Sequence, residues 1–142
     1  MIFTELTRKA LQISFTAHKD QTDKSGMPYV YHPYRLAEQM NDESSVCVAL
    51  LHDVIEDGDF TIEDIVSEGF PEEVITALQL LTHSKSVPYL EYIEKIKTNP
   101  IAKEVKLVDL RDNSNYERLE KVGLEDLRRN EKYRKAIRML SD

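Results

Sequence analysis

The sequence is short of several residue types that common classes of protein require. Its only cysteine among 142 residues is Cys47, which excludes an intramolecular disulfide and a cysteine-rich zinc site. Cys47 lies in the apolar run VCVALL, where a buried free thiol is expected, so a reducing, intracellular setting fits best. Only 4 glycines are present, and no segment alternates strictly between apolar and polar residues, so the pattern does not indicate strands.

Positive charge and long apolar runs are also scarce. The chain has 19 basic and 26 acidic residues and a net charge of -7, which argues against a nucleic-acid partner because phosphate-backbone binding needs clustered cations. A small anionic ligand is compatible with this charge if a metal or a local basic patch receives it. The first twenty residues contain no continuous apolar stretch, so we expect neither a signal peptide nor a membrane partner, and a cytoplasmic protein.

Apolar residues instead recur at three- and four-residue steps along most of the chain. This spacing predicts an all-α fold, a helical bundle formed by one domain over residues 1–142. We expect the second helix to begin at Pro33, and the third to be capped by Ser44 or Ser45. The other predicted helices span about 4–19, 61–68, 71–81, 86–98, a segment after Asn99-Pro100, and 124–139. The last of these is basic but carries interleaved acidic residues, which favours a solvated helix.

The stretch ALLHDVIEDGD, residues 49–59, carries the main functional signal. If it continues as one helix, His52, Asp53, Glu56 and Asp57 share a single wedge of the helix surface. An ordinary solvated face would explain this, but the preceding turns place apolar residues on the same wedge. Charges at the edge of a core need a partner, and a divalent cation suits a neutral imidazole beside carboxylates.

Other segments must complete such a site. His32 stands at the entry to the second helix, and Asp109 falls on an apolar stripe in VKLVDLRDN with Asn113 one turn later. His18 ends the first helix, where the helix dipole favours a structural histidine. His83 has no supporting motif, and we expect it on the surface.

Three ordered segments together resemble a known family: AH…Q…SG.PYVYHP, which begins at Ala17-His18, then LLHDVIEDGDFTIEDI, then VKLVDLRDN. They are similar to the HD-domain metal-dependent phosphohydrolases, and within them to the branch that hydrolyses the stringent-response alarmone (p)ppGpp. The resemblance covers roughly residues 10–116. It implies a helical bundle of the HD-domain type, and we expect a stand-alone hydrolase.

The resemblance also implies roles for individual residues. One divalent metal, in this branch usually Mn²⁺, would be held by His32, His52, Asp53 and Asp109. Glu56 and Asp57 match the catalytic carboxylate pair that activates and orients the attacking water. Glu56, one turn from His52, is the better placed general base.

Substrate-binding residues are implied in the same way. Lys24 and Asn113 match positions that meet the nucleotide, whereas Asp23 stands where the family usually has an arginine that helps to hold the guanine base. Close to the metal motifs lie further tyrosines and lysines, which form either a wall for base stacking and phosphate neutralisation or simply core tyrosines and solvated lysines. They are Lys85, Tyr89, Tyr92 and Lys106.

The expected function is therefore that of an enzyme whose partner is a small phosphorylated nucleotide. The resemblance implies a metal-dependent phosphohydrolase similar to guanosine 3′,5′-bis(diphosphate) 3′-pyrophosphohydrolases. Two alternatives stay open. The same chemistry could act on another nucleotide or phosphate ester, which the Asp23 departure favours, or the fold could serve as a nucleotide-binding sensor without turnover. The sequence leaves the oligomeric state open.

Overall fold

Helices provide nearly all the regular structure in residues 1–117 and 119–142, the part of the chain that this computed structural model describes. The all-α prediction is confirmed. The described helices are α1 (Glu5–His18), α2 (Tyr31–Glu38), α3 (Glu43–Leu51), α4 (Val54–Asp57), α5 (Ile62–Ser67), α6 (Glu72–Leu81), α7 (Tyr89–Lys97), α8 (Pro100–Asn113) and α9 (Leu124–Ser141). The loop between α1 and α2 is closed by one isolated antiparallel bridge, between Thr22 and Pro28.

Helix α3 forms the centre of the bundle. Every residue from Ser45 to Leu51 is buried, as expected for a helix that is apolar around most of its circumference. Helices α1, α2, α6 and α8 pack around it. This arrangement places the end of α3 deep in the protein, next to the first turn of α2 and the second half of α8.

Side chains at the helix starts explain most of the boundaries. Thr61 caps α5 through the predicted capping box with Asp64, and the Asn99 side chain accepts the Ala102 amide at the start of α8. The predicted serine cap of α3 is wrong. Asp42 is the cap, and its carboxylate accepts the Ser45 amide proton at 2.8 Å.

The predicted start of α2 is also wrong. The helix begins at Tyr31, and Pro33 is its third residue. A proline is tolerated there because the first four amides of a helix have no acceptor within the helix. His32 therefore lies inside the first turn of α2, where backbone geometry fixes its direction.

The helix predicted to run through the His-Asp motif is interrupted. Helix α3 ends at Leu51 and α4 begins at Val54, and between them Asp53 has φ −107° and ψ 0°. Just beyond α4, Gly58 lies against α1: an added Cβ would stand 2.7 Å from the Val54 carbonyl oxygen and 2.9 Å from the Ala17 Cβ. The break turns α4 out of line with α3 and packs its end on α1.

The C-terminal helix α9 docks through part of its apolar face. Ala136 and Leu140 are buried, whereas Leu127 is 49% exposed. None of the described helices is long and apolar enough to cross a membrane.

Candidate active site

Three side chains from three different segments converge at the centre of the bundle. His32 comes from the first turn of α2, His52 follows the end of α3, and Asp109 lies on α8. One ligand atom of each lies within 4.8 Å of the others. The three residues are only 3%, 4% and 4% exposed, so water can do little to compensate their charges.

The hydrogen bonds of His52 fix which ring nitrogen can bind a metal. Its Nδ1 lies 2.7 Å from the Ala49 carbonyl oxygen, and because a carbonyl only accepts, Nδ1 carries the proton. The other nitrogen, Nε2, is buried without a hydrogen-bond partner, although it lies 3.0 Å from Asp53 Oδ2 and 3.5 Å from Asp109 Oδ1. In the neutral ring, the Nε2 lone pair thus faces two carboxylates.

His32 is oriented in the same way by a different partner. Its Nδ1 is 2.6 Å from Asp112 Oδ2, and its Nε2 is 2.9 Å from Asp109 Oδ1. An ionised Asp112 carboxylate only accepts, so Nδ1 donates and Nε2 points into the cluster. Both histidines therefore present Nε2 towards Asp109.

Asp53 borders this group. Its Oδ2 lies 3.0 Å from His52 Nε2 and 3.9 Å from His32 Nε2, and it accepts the hydroxyl proton of Tyr29. Burial and the Asp53 charge raise the pKa of Tyr29, so its hydroxyl keeps the proton that it donates. Burial would raise the pKa of Asp53, but the neighbouring histidines, His52 foremost, lower it to about 2.

Asp109 is the most highly coordinated member of the cluster. Its carboxylate lies close to Nε2 of both histidines, and it accepts hydrogen bonds from Lys106 Nζ at 2.9 Å and from Asn113 Nδ2 at 3.0 Å. Burial would raise the pKa of Asp109, but Lys106 and the histidines hold it well below the usual range. Its charge in turn raises the pKa of Lys106, against the lowering effect of burial.

This arrangement fits a divalent cation. Burial lowers the pKa of His52, but Asp53 and Asp109 outweigh burial and raise it well above the ordinary value. The site thus attracts a positive charge to the gap between the His52 Nε2 lone pair and the carboxylates. A metal ion supplies that charge and binds lone pairs from both kinds of donor, and the second nitrogen of each ring is already hydrogen-bonded, as is usual for metal-ligating histidines.

The predicted catalytic carboxylates lie just beyond the cluster, in α4. Glu56 and Asp57 are both exposed, and Glu56 accepts a hydrogen bond from the backbone amide of His83. The neighbouring protein nevertheless removes part of the water around the Glu56 carboxylate, and this desolvation, aided by the Asp53 charge, raises its pKa, which the His83 amide only partly offsets. The same two causes raise the pKa of Asp57. Both side chains combine access to solvent with an electrostatic preference for binding a proton.

No protein-family model matches the chain, but individual proteins do. The guanosine-3′,5′-bis(diphosphate) 3′-pyrophosphohydrolase MESH1 of Mus musculus is 34% identical over 110 residues, which are 67% of this chain and 61% of that protein. The 3′-pyrophosphohydrolase of the same name from Aquifex aeolicus is 35% identical over 89 residues, 60% of this chain and 13% of that protein.

A solved structure agrees with these relatives. It is described as a metazoan ortholog of SpoT that hydrolyses ppGpp and plays a role in starvation responses. It superposes with a TM-score of 0.79 at 26% identity, covering 99% of this chain and 87% of that one. The chain is homologous to the (p)ppGpp hydrolases. The predicted resemblance and the HD-type helical fold are thus confirmed.

The chain is much shorter than many of these (p)ppGpp hydrolases. It spans 13% of the Aquifex aeolicus protein and 9% of the Escherichia coli bifunctional (p)ppGpp synthase/hydrolase SpoT, to which it is 44% identical over 62 residues. The similarity therefore concerns one segment of those larger proteins.

A cavity of about 310 Å³ opens beside the His/Asp cluster of this (p)ppGpp hydrolase homologue. It contacts the cluster through Tyr29 and Asn113. Two of the predicted substrate-binding residues, Lys24 and Asn113, line it. The rest of the lining is Thr22, Asp23, Ser25, Asn115, Tyr116, Leu119, Arg129 and Tyr133.

The other predicted substrate-binding residues are dispersed. Lys106 is at the cluster, but Lys85 is exposed and is not among the described residues that line the cavity. Tyr92 is 7% exposed and donates to the Leu81 carbonyl at 2.6 Å, as a core tyrosine does. Tyr89 is half-buried, with Lys132 Nζ 3.9 Å from the centre of its ring.

The structure also shows the surroundings of His83 and His18, the two histidines outside the proposed ligand set. His83 was expected on the surface, but it is half-buried, stacked on Tyr92 at 4.3 Å, and its amide binds Glu56. The reason is that its ring packs on Tyr92 and its Nε2 lies 2.7 Å from the Val87 carbonyl oxygen. His18 is fully buried outside the ligand group, with its Nδ1 2.8 Å from Gln21 Oε1. That glutamine donates to the Asp57 carbonyl at 2.6 Å and so ties α1 to α4.

The sequence does not single out Tyr29 and Asp112, which contact proposed metal ligands, or Arg35, which holds Asp112. The one available signal was the unusual DLRDN sequence, which places two aspartates on nearly the same side of a helix.

Proposed function

We propose that this chain is a cytoplasmic, metal-dependent phosphohydrolase that removes pyrophosphate from the 3′ position of guanosine 3′,5′-bis(diphosphate). The observation that carries the proposal is the His52 Nε2 atom, buried and without a hydrogen bond, facing the carboxylates of Asp53 and Asp109. Homology to proteins named for this reaction supports the choice of substrate.

His32, His52, Asp53 and Asp109 would hold one divalent metal in this proposal. Two imidazoles and two carboxylates suit a first-row ion with water in its remaining positions, and Mn²⁺ is the ion that the resemblance implies. When bound, such an ion lowers the pKa of coordinated water and stabilises negative charge on phosphate oxygens.

Glu56 is the general base of the proposed reaction. Its carboxylate accepts a proton from the attacking water, and its raised pKa makes it a stronger base than an ordinary glutamate. The water oxygen forms a bond to phosphorus, the bond from phosphorus to the ribose 3′ oxygen breaks, and the 3′ oxygen takes up a proton. Asp57, on the same short helix, helps to orient the water.

The cavity beside the cluster provides room for the nucleotide. Lys24 would neutralise phosphate charge at the mouth of the cavity, and Asn113 connects the cavity to Asp109. Lys106, already bound to Asp109, is a positioning residue for that carboxylate in this proposal. The net charge of -7 makes this local supply of cations necessary for an anionic substrate.

Asp23 favours a second candidate, in which the same chemistry acts on another nucleotide. This residue stands in the cavity wall at the position of the usual family arginine. Its Oδ1 accepts hydrogen bonds from the Ser25 amide and hydroxyl and from the Met27 amide. A carboxylate fixed in the loop cannot hold a guanine base in the way that a guanidinium does.

A substrate panel distinguishes the two candidates. Metal is removed from the purified protein, Mn²⁺ is restored, and phosphate and pyrophosphate release is followed with guanosine 3′,5′-bis(diphosphate), nucleoside monophosphates and nucleoside triphosphates. We expect pyrophosphate from the bis(diphosphate). Activity confined to another nucleotide would instead establish the second candidate.

Two substitutions serve as controls in the panel. Asp53→Ala removes a proposed metal ligand and Glu56→Ala removes the proposed base, so both should abolish release. Mn²⁺ binding without turnover on any compound would favour a sensor, and turnover that survives both substitutions would contradict the mechanism.

A further inference from the structure

The Asp112 carboxylate is held between a proposed metal ligand and an arginine. Its Oδ2 lies 2.6 Å from His32 Nδ1. Arg35 donates to the same group from two nitrogens, Nε to Oδ1 at 2.9 Å and an Nη to Oδ2 at 2.8 Å. This paired geometry is the strongest arrangement of an arginine and a carboxylate, and it fixes the orientation of the carboxylate plane.

The two histidines of the cluster differ in the group that accepts the hydrogen bond from Nδ1. His52 donates Nδ1–H to a neutral backbone carbonyl, that of Ala49, within its own helical segment. His32 donates to an ionised carboxylate on α8, 80 residues further along the chain. A carboxylate acceptor makes an imidazole a more basic ligand than a carbonyl does.

The position of Asp112 in the fold explains how it can act on His32. Its side chain is only 10% exposed, and it lies one residue before the end of α8, the helix that also carries Asp109. Arg35 lies one turn after His32 on α2. The Asp112 contacts therefore fasten the two helices together at the point where His32 and Asp109 meet.

We propose that Asp112, anchored by Arg35, is the positioning residue for the metal-binding function of His32. It holds the proton on Nδ1, aims the Nε2 lone pair at the metal and increases the ligand strength of His32. This inference rests on the proposed metal site. It assigns a role to Asp112 and Arg35, which are neither proposed metal ligands nor part of the cavity lining.

The test measures Mn²⁺ affinity rather than turnover. Apoprotein is titrated with Mn²⁺ in competition with an indicator, for the wild type and for Asp112→Asn. The amide can still accept from Nδ1–H but lacks the charge and cannot accept both arginine hydrogen bonds. We expect the Kd to rise about 10- to 100-fold, and the electron paramagnetic resonance spectrum of bound Mn²⁺ to change at saturating metal.

Matched substitutions separate positioning from other effects. Glu38→Gln makes the same change of charge at an exposed position of α2 and should leave Kd and spectrum unchanged. Arg35→Met loosens the carboxylate without removing it and should raise the Kd by less than Asp112→Asn. Arg111→Met makes the same substitution at an exposed position of α8 and is the control for Arg35→Met. If Asp112→Asn fails to fold, as judged by circular dichroism, the Arg35→Met comparison decides.

The outcomes are distinct. If folded Asp112→Asn binds Mn²⁺ with the affinity and the spectrum of the wild type, the inference is overturned and the proposed metal site stays intact. The same result in Arg35→Met has this meaning where Asp112→Asn does not fold. A wild-type protein that binds no Mn²⁺ would overturn both.

Discussion

At the residue scale, Glu56 is the side chain on which the proposed chemistry depends most directly. Glu56→Gln keeps an acceptor for the His83 amide but cannot take a proton from water. We expect kcat to fall by about 10² to 10⁴-fold, the usual contribution of a general base, while Mn²⁺ affinity stays unchanged.

Steady-state kinetics on guanosine 3′,5′-bis(diphosphate), with a parallel Mn²⁺ titration, checks this prediction. Glu63→Gln, an exposed glutamate on α5, is the control for the change of charge. A kcat within a factor of two of the wild type (about 0.4 kcal/mol in barrier height) would exclude Glu56 as the base.

Asp112 also predicts a pH-dependent contribution to the stability of the metal-free protein. Burial would raise its pKa, but the hydrogen bonds from His32 and Arg35 hold the pKa well below the ordinary value. A depressed pKa stabilises the fold above the unfolded value of about 3.9, and the contribution is lost as the pH falls below it. The stability advantage of the wild type over Asp112→Asn should therefore shrink between about pH 6 and about pH 3.

Urea unfolding of both metal-free proteins at the two pH values measures this difference. The difference in the free energy of unfolding between the wild type and Glu38→Gln should not change comparably between the two pH values. If the stability advantage of the wild type over Asp112→Asn grows as the pH falls, the Asp112 pKa is raised rather than lowered.

The sequence predicts the kinds of residue at this site better than it predicts their partners. His32, His52 and Asp109 stand out because ionisable groups on apolar faces need compensation, and the structure brings them together. The contacts of Asp112 with His32 and Arg35 join positions 80 and 77 residues apart. Helical periodicity describes each segment alone and contains no information about which helices meet.

At the scale of elements, the break between α3 and α4 shapes the site. It frees His52 and Asp53 from a regular helix and directs α4, with Glu56, towards the His83 amide. The sequence does not reveal the break, because the apolar spacing on both sides is compatible with one helix. The signal nearest to it is Gly58, where α4 ends.

Gly58→Ala tests whether the close packing of α4 on α1 matters. The new Cβ would meet the Val54 carbonyl oxygen and the Ala17 Cβ at less than 3 Å, so α4 must shift. We expect a loss of about 1–3 kcal/mol in the free energy of unfolding, typical of overpacking, together with reduced kcat because Glu56 moves.

Chemical denaturation and kinetics of the Gly58→Ala variant check both parts of this prediction. Gly123→Ala is the comparison, since a Cβ there would meet only Asp126 Oδ2, at an ordinary 3.6 Å. Equal effects of the two substitutions would contradict a special role for the packing at Gly58.

At the scale of the whole molecule, a metal ion at the proposed site would couple to the stability of the bundle. The proposed ligands come from α2, α8 and the segment after α3, so a bound ion would link the central helix to two of its neighbours. Mn²⁺ at a hundred times its Kd should raise the free energy of unfolding by about 2.7 kcal/mol, since the unfolded chain has no such site. Thermal unfolding with and without Mn²⁺ measures the effect, and His52→Ala should abolish it. An equal increase in His52→Ala would place the ion elsewhere.

One metal ion at the His32, His52, Asp53 and Asp109 cluster is proposed to support removal of pyrophosphate from guanosine 3′,5′-bis(diphosphate). The most direct test is to add Mn²⁺ stepwise to metal-free protein, with protein well above the Kd, and measure the initial rate of pyrophosphate release at each step. We expect no release without metal and a linear rise that ends at one equivalent per chain. Release at full rate from metal-free protein, or none at saturating Mn²⁺, would contradict this proposal.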